Sequence, residues 1–292
     1  MSFSSEVKES LSKISNLKNK EEVKYELIGY LISNNITCIK NKIMYTTSNE
    51  YNINRFSKLL TNMNILNFKI ELKGKKYIIT FEKIEGLQEI QYIENYIQLA
   101  KIQKGENLIK ALVRGTFLGS GSINNPEKKY HLEIILSNLE NAKAIQQILL
   151  EQNIETKQLD RKKGISLYIK EGEQISRYFA FIGANTAVLK FEEIRVIRDM
   201  KNNINRKVNC ETANITKTVS AAVKQIDAIK LLKKKKIFEG LPDNLKEIAK
   251  IREENPDATL LELGQMLKIP IGKSGVNHRL NSIIQIAERE KK

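Results

Sequence analysis

The sequence has few of the residues on which most catalytic and metal sites depend. Its two cysteines, Cys38 and Cys210, are too few for a framework of disulfide bridges, and neither lies in a cluster with metal-ligand spacing. The two histidines, His131 and His278, lie in a predicted strand and a predicted helix far apart in the chain. No Ser-His-Asp set, glycine-rich phosphate loop or Cys/His cluster is present. The sequence therefore predicts no enzyme, no cofactor and no bound metal.

Long apolar runs are also missing. No segment approaches the roughly 20 apolar residues that a membrane span needs, so we expect no membrane partner. The first residues show no basic region followed by an apolar stretch, which predicts a protein without a secretory signal, and the sparse cysteines fit a reducing cytoplasm. A length of 292 residues favours two domains.

Positive charge is abundant and unevenly distributed. The chain carries 49 Lys and Arg against 34 Asp and Glu, a formal net charge of +15, which favours polyanionic partners such as nucleic acid. The excess of positive charge is concentrated in the segment from Arg195 to Glu239, which contains the run Lys233 to Lys236 near its end. The stretch from Leu263 to Ala287 has no acidic residue. An alternative interpretation of the lysine run is a solvated, flexible linker.

Hydrophobic periodicity predicts an α+β domain built from two similar halves. In the first half, helical and alternating patterns predict helices and strands in the order αββαββα. The second half repeats this order more weakly. The predicted elements are helices 21–33, 50–66 and 87–103 with strands 36–40, 42–46, 68–72 and 77–81, then helices 107–119, 138–152 and 172–182 with strands 130–136, 154–159 and 165–169. The predicted domain is 1–185, with halves 20–104 and 105–185.

The remainder of the chain is predicted to be helical. Residues 186–240 are expected to form a basic connector, interrupted near 205–214, and residues 241–292 a separate all-α domain. The three predicted helices of this domain are 243–254, 259–267 and a third that begins at Lys273 or Ser274 and ends at Glu288, with Ser274 as its candidate N-cap.

The last helix has two contrasting faces. Val276, Leu280, Ile283, Ile284 and Ala287 share one face and are expected to be buried. The residues on the opposite face and its flanks suit hydrogen bonding to bases and phosphates: Lys273, Ser274, Asn277, His278, Arg279, Asn281, Ser282 and Gln285. The pattern predicts a recognition helix in a helix-turn-helix that binds double-stranded DNA. The alternative is a three-helix bundle with a polar outer face.

Two segments of the first domain, 27–35 and 113–122, each place a glycine in a helix where a second helix could cross closely. In this order of elements the domain resembles the LAGLIDADG homing endonucleases. The resemblance implies metal-binding carboxylates at the two helix ends, where this chain has Asn34 and Ser120. Glu127 and Glu133 are near in sequence but do not form a matched pair. Since neither helix end is anionic, we expect these degenerate metal positions to support no hydrolysis.

Three further segments identify a narrower resemblance: 112–128 with 130–133, then 205–214, then 273–280. Together they make the chain similar to the WhiA family of bacterial regulators. This resemblance implies a degenerate LAGLIDADG-like domain joined to a C-terminal helix-turn-helix, in a DNA-binding protein of sporulation, cell division or chromosome segregation. Around Cys210, an alternative interpretation is that Asn209, Glu211 and Asn214 cap and turn the connector.

Three functions remain open at this point. The first is a non-enzymatic, nucleoid-associated transcriptional regulator, in which Arg195, Arg198, Arg206 and Lys207 are possible phosphate contacts. The second is a scaffold whose N-terminal domain binds a protein partner while DNA binding localises it. The third, which Asn34 and Ser120 argue against, is an active metal-dependent homing endonuclease.

Overall fold

The computed structural model describes residues 2–82, 93–102 and 105–290. The chain divides into two compact units, Met1–Asp199 (unit 1) and Met200–Lys292 (unit 2). The predicted helix over 87–103 falls partly outside the described residues and is described from Glu94 to Ile102. The predicted domain boundaries at 185 and 240 remain predictions.

Unit 1 is an α+β domain, as the sequence predicts. Its helices are α1 (Phe3–Ser12), α2 (Lys20–Leu31), α3 (Glu50–Asn62), α4 (Glu94–Ile102), α5 (Glu106–Ser120), α6 (Leu139–Glu151) and α7 (Gly172–Ile182), followed by the start of α8 (Asn185–Lys234). Its strands are β1 (Ile36–Ile39), β2 (Lys42–Thr47), β3 (Phe68–Lys73), β4 (Lys76–Glu82), β5 (Ser122–Ile123), β6 (Leu132–Leu136), β7 (Lys157–Arg161) and β8 (Gly164–Ile169).

The two halves of unit 1 repeat one sheet topology. The strands of the first half are ordered β1-β2-β4-β3 and those of the second β5-β6-β8-β7, and every pairing is antiparallel. Each sheet follows a central helix, α2 in the first half and α5 in the second. This repetition confirms the predicted pseudo-symmetric tandem domain.

The two central helices cross at their glycines. A Cβ atom on Gly29 would lie 2.1 Å from the carbonyl oxygen of Leu112, and one on Gly115 would lie 2.1 Å from that of Glu26. Real side-chain atoms do not approach backbone so closely, so only glycine permits this crossing. The helices α2 and α5 therefore form the close-packed centre of unit 1.

A buried charge cluster lies beside this crossing. The carboxylate of Glu26 accepts hydrogen bonds from Arg55 Nε at 2.8 Å and from Arg114 Nε at 3.0 Å. Arg55 also donates to the carbonyl oxygen of Ile14 at 2.7 Å. Burial alone would raise the pKa of Glu26, but the two guanidinium groups outweigh it and hold that pKa below its usual value. The cluster joins α2, α3 and α5.

Several predicted boundaries in unit 1 were wrong, and two elements were not predicted. Helix α3 ends at Asn62 rather than at residue 66, because the chain turns at Asn64, whose φ is 59°. The strand predicted over 154–159 corresponds to β7, which begins three residues later than predicted, at Lys157. The reason is that Asn153 adopts a φ of 56° and Ile154 is buried in the turn. The two elements that were not predicted are the helix α1 and the two-residue strand β5.

Unit 2 consists of helices around a second hydrophobic core. It comprises the rest of α8, a 3-10 turn over Phe238–Gly240, α9 (Asp243–Glu254), α10 (Leu260–Gln265) and α11 (Lys273–Arg289). The last turns of α8 belong to this core, because Ile229 and Leu232 are buried in it.

The helix α8 is continuous, so the predicted interruption at 205–214 was wrong. The asparagines and threonines in this segment lower helix propensity by only tenths of a kcal/mol each, about 0.7 at most. The sequence has no proline or glycine between Ala184 and Glu239 that would break the helix outright. Asn209, Glu211 and Asn214 are exposed inside the helix, and the alternative interpretation that they cap and turn the connector is therefore also wrong.

Candidate nucleic-acid interface

One face of α11 presents polar side chains to solvent. Of the eight residues predicted to contact DNA, six are exposed and two, Arg279 and Ser282, are half-buried. The exposed six are Lys273, Ser274, Asn277, His278, Asn281 and Gln285. Amide, imidazole and guanidinium groups are the groups that read donor and acceptor patterns on base edges, and no carboxylate lies among them to repel phosphate.

The opposite face anchors α11 in the core of unit 2. Val276, Leu280, Ile283 and Ala287 are buried there, and Ile284 is half-buried. They share one hydrophobic cluster with residues of α9 and α10, among them Ile248 and Leu263. The spacing of these apolar positions thus fixes which face of α11 points outward.

The turn between α10 and α11 depends on a close approach. A Cβ on Gly264 would lie 2.2 Å from the carbonyl oxygen of Ile271, and the Ile271 N–H donates to the carbonyl oxygen of Gly264 at 3.2 Å. Because a side chain at Gly264 would push the two segments apart, this glycine sets the angle between the helices, as a helix-turn-helix requires.

The N-terminus of α11 is open. The N-cap is Gly272, with no side chain capping the first turn, so the prediction that Ser274 is the N-cap was wrong. The helix begins at Lys273, which places Ser274 inside its first turn. The uncapped N–H groups and the helix dipole make this end suitable for an anion such as a DNA phosphate.

The sequence did not predict two features that stabilise this domain, a buried arginine and a capping box. The buried Arg252 of α9 donates to the carbonyl oxygen of Ala258 at 2.7 Å and so holds the loop before α10. Thr259 and Glu262 form a reciprocal capping box at the start of α10. The spacing Thr-x-x-Glu is a known signal for such a cap and could have revealed it, whereas nothing local marks Arg252 as buried.

The four basic residues predicted as phosphate contacts differ in environment. Arg206 and Lys207 are exposed on α8. Arg195 is paired with Glu192 at 2.9 Å, and Arg198 donates to the carbonyl oxygen of Pro126 at 2.9 Å. Since both arginines already have partners in unit 1, Arg206 and Lys207 are the better placed of the four to neutralise phosphates.

The lysine run at the end of α8 is tied into unit 2. Lys233 forms an ion pair with Glu253 at 2.5 Å, and Lys235 donates to the carbonyl oxygen of Glu290. The alternative interpretation of this run as a flexible linker was therefore wrong, because its residues end a helix and contact the domain that follows.

The degenerate metal positions are occupied by structural hydrogen bonds. The Ser120 hydroxyl donates to the carbonyl oxygen of Ile135 at 2.6 Å and accepts from the N–H of the same residue at 3.2 Å. The backbone N–H of Asn34 donates to the same carbonyl oxygen at 3.1 Å. The Ser120 hydroxyl and the Asn34 backbone N–H therefore both join their helix ends to β6.

A cavity of about 600 Å³ lies next to Ser120 in unit 1. Hydroxyl and amide side chains line it, together with the cations Lys8 and Lys76 and without a carboxylate. Burial lowers the pKa of Lys8 to about 8. A cavity with this lining would repel a divalent cation.

The two carboxylates near these positions in the sequence have other partners. Glu133 accepts from Arg161 at 2.8 Å and from the Ser166 hydroxyl at 2.6 Å, and Glu127 lies in the loop before β6, where its N–H donates to Asn125. Among residues 2–82, 93–102 and 105–290, no group of three or more His, Cys, Asp or Glu could hold a metal ion. Within the same ranges no helix combines the length and the apolar character of a membrane span.

Comparison with known proteins finds the same two-part organisation. Residues 109–201 match the WhiA LAGLIDADG-like domain, and residues 204–287 match the WhiA C-terminal HTH domain. The chain is 39% identical over 310 aligned residues to the probable cell division protein WhiA of Clostridium tetani, covering 99% of this chain and 98% of that protein. It is 38% identical to the protein of that name in Staphylococcus aureus, with 99% and 97% covered.

Solved structures agree with this organisation. The crystal structure of full-length DUF199/WhiA from Thermatoga maritima is similar over 99% of both chains, with 29% identity and a TM-score of 0.62. The N-terminal LAGLIDADG domain of DUF199/WhiA covers 62% of this chain and 92% of its own length, with 25% identity and a TM-score of 0.52.

Proposed function

Since the chain belongs to the WhiA family, we propose that it is a non-enzymatic DNA-binding protein that inserts α11 into a major groove. One observation carries this proposal: from Lys273 to Gln285 the outward face of α11 is polar, free of acidic residues and presented on a helix-turn-helix. The proposed base and phosphate contacts are Lys273, Ser274, Asn277, His278, Arg279, Asn281, Ser282 and Gln285. Several of these side chains can form the paired hydrogen bonds by which bases are distinguished.

Phosphate contacts would hold the protein in register. The uncapped N-terminus of α11 would bind one phosphate, and the exposed cations Arg206 and Lys207 are proposed to neutralise others. In a plot of the logarithm of the binding constant against the logarithm of salt concentration, each such contact should make the slope more negative by about 0.9.

The cellular role that we propose follows the names of the relatives, which are called probable cell division proteins. We propose that this chain regulates transcription of genes for division and chromosome segregation, and that it is associated with the nucleoid. Chromatin immunoprecipitation should then recover discrete promoter regions. Recovery of no site above background would contradict regulation by specific binding.

The site itself is tested by one substitution and its matched control. Arg279→Ala, in the first half of α11, should weaken binding to a recovered site by about 1–3 kcal/mol, measured by fluorescence anisotropy over a salt series. Arg289→Ala removes the same charge from the exposed last turn of the same helix and should change affinity little. Equal effects of the two substitutions would show that only total charge matters and would overturn the proposed face.

The absence of nuclease activity is part of the proposal. The helix ends carry Asn34 and Ser120, and the cavity beside Ser120 is lined by two lysines without a carboxylate. We therefore expect the bound DNA to stay intact with Mg²⁺ or Mn²⁺ on a gel. Metal-dependent cutting by the purified chain would refute this part.

A further inference from the structure

An exposed apolar stripe runs along α8 within unit 2. Between residues 200 and 223 the sequence has six large apolar residues, and each is between 49% and 64% exposed. At 100° per residue all six fall within about 140° of the helix circumference. We call them the α8 stripe: Met200, Ile204, Val208, Ile215, Val219 and Val223. An apolar surface of this length, about 36 Å at 1.5 Å per residue, is unusual unless something covers it.

The α8 stripe is symmetric about its midpoint. Val208 and Ile215 lie equally far from a point between Glu211 and Thr212. The same holds for Ile204 with Val219 and for Met200 with Val223. An antiparallel helix pair with a two-fold axis needs this property. If residue i of one copy contacts residue j of the other, then residue j of the first copy contacts residue i of the second.

We propose that the α8 stripe is the interface between two copies of this chain, whose α8 helices pair in antiparallel orientation around a two-fold axis between Glu211 and Thr212. Antiparallel pairing places Val208 against the partner's Ile215 and buries both. It also continues the apolar face by which Ile229 of the same helix already enters the core of unit 2.

Charge selects the antiparallel orientation. In a parallel pair in register, Lys201 would face Lys201 and Glu211 would face Glu211, which is unfavourable. In the antiparallel pair, Lys201 lies opposite Ala222 and Glu211 lies opposite Thr212. The cations Arg206 and Lys217 fall on the side of the helix remote from the α8 stripe. The antiparallel pair thus removes the Lys201 repulsion, whereas Glu211, beside the two-fold axis, lies close to its own copy in both orientations.

This pairing would give one assembly two α11 helices. A two-fold dimer of helix-turn-helix domains reads two half-sites of inverted sequence. The dimer itself does not require DNA, so it can be tested without DNA and independently of the proposed function.

The first test is sedimentation equilibrium of the full chain without DNA. We expect a reversible dimer, and we expect Ile204→Gln combined with Val219→Gln to raise its dissociation constant by at least about tenfold, because each altered pair occurs twice in a two-fold interface. The matched control is Leu66→Gln, which alters a residue of unit 1 that is 68% exposed. A wild-type chain that stays monomeric at all concentrations, or equal dimerisation of stripe and control variants, would overturn the proposal.

The second test fixes the orientation. Both native cysteines are exposed, so the background carries Cys38→Ser and Cys210→Ser. In it, Val208→Cys with Ile215→Cys should form a covalent dimer when oxidised with diamide. Neither single variant should do so, because antiparallel pairing separates like positions by about 10 Å, beyond the reach of a disulfide. Cross-linking of the Val208→Cys variant alone would indicate parallel pairing and overturn the antiparallel interface, as would the absence of any cross-link in the double variant.

Discussion

The ends of the central helices in unit 1 and the outward face of α11 in unit 2 both carry small polar residues, but these residues behave differently. At the end of α5, Ser120 both donates to and accepts from Ile135, and Asn35 near the end of α2 donates to the carbonyl oxygen of Gly119 at 2.8 Å. On α11, Asn277, Asn281 and Gln285 are exposed. Polar groups whose hydrogen bonds are used by the fold stabilise it, whereas exposed polar groups on a rigid helix remain available to a ligand.

The difference also shows that the fold of unit 1 does not require metal ligands. The fold depends on the glycine crossing of α2 and α5 and on the charge cluster beneath it. Neither depends on a carboxylate at the helix ends. A chain with Asn34 and Ser120 at these helix ends therefore keeps all of these interactions.

The largest effect is expected from the buried charge cluster. Glu26→Gln leaves Arg55 and Arg114 without their anion and should destabilise unit 1 by about 3–5 kcal/mol in urea denaturation. Because the folded-state pKa of Glu26 lies below its usual 4.5, its stabilising contribution is present at neutral pH and is lost as the pH falls through that lowered value. The difference between wild type and variant should shrink in acid. A difference that stays constant down to pH 3 would contradict the assigned ionisation.

The glycine crossing should give the next largest effect. Gly29→Ala places a Cβ 2.1 Å from the carbonyl oxygen of Leu112, and relief requires α2 and α5 to separate. We expect a loss of stability near 3 kcal/mol in urea denaturation, at the upper end for overpacking. Gly240→Ala meets no atom within 4 Å and serves as the control, with little expected change. Equal stability of the two variants would show that the helices can move apart at no cost.

The hydrogen bonds of Ser120 should contribute less. Ser120→Ala leaves the N–H of Ile135 without its acceptor and should cost about 1–3 kcal/mol of unfolding free energy, measured by urea denaturation. Ser122→Ala, two residues later and exposed, should cost much less. The Ser120 variant should bind DNA as the wild type does. Loss of DNA affinity without loss of stability would mean that this position is part of a binding site and would break the contrast between the two regions.

Patterns that act within one element could be predicted from the sequence. Two periodicities, 3.6 for helices and 2 for strands, placed the elements in order and identified the buried face of α11. The two glycine-bearing segments indicated the crossing at Gly29 and Gly115 because a close helix approach needs glycine at a fixed place in each helix. The exposed face of α11 follows from the same periodicity.

Features that depend on distant partners could not be predicted. Arg55 and Arg252 have the charge of surface residues, yet both are buried because their donors meet acceptors that only the fold brings near. The continuity of α8 was missed because weak local preferences for a turn between 205 and 214 are small compared with the stability of the long helix. Nor does the sequence reveal that Ser120 is hydrogen-bonded to β6, which comes 15 residues later.

The smallest change in stability is expected at Asn281, and this prediction contrasts the two regions most directly. Asn281→Ala alters an exposed residue on α11 for which the fold provides no described hydrogen bond, so stability should change by less than about 0.5 kcal/mol. DNA affinity should nevertheless fall, because an asparagine that pairs with a base contributes about 1–3 kcal/mol of discrimination. Thermal unfolding measures the stability. Fluorescence anisotropy with a DNA site and with a mutated copy of that site measures the affinity and the specificity. A variant as specific as the wild type would remove Asn281 from the recognition face, and a large loss of stability would place it with Ser120 among the residues that the fold itself uses.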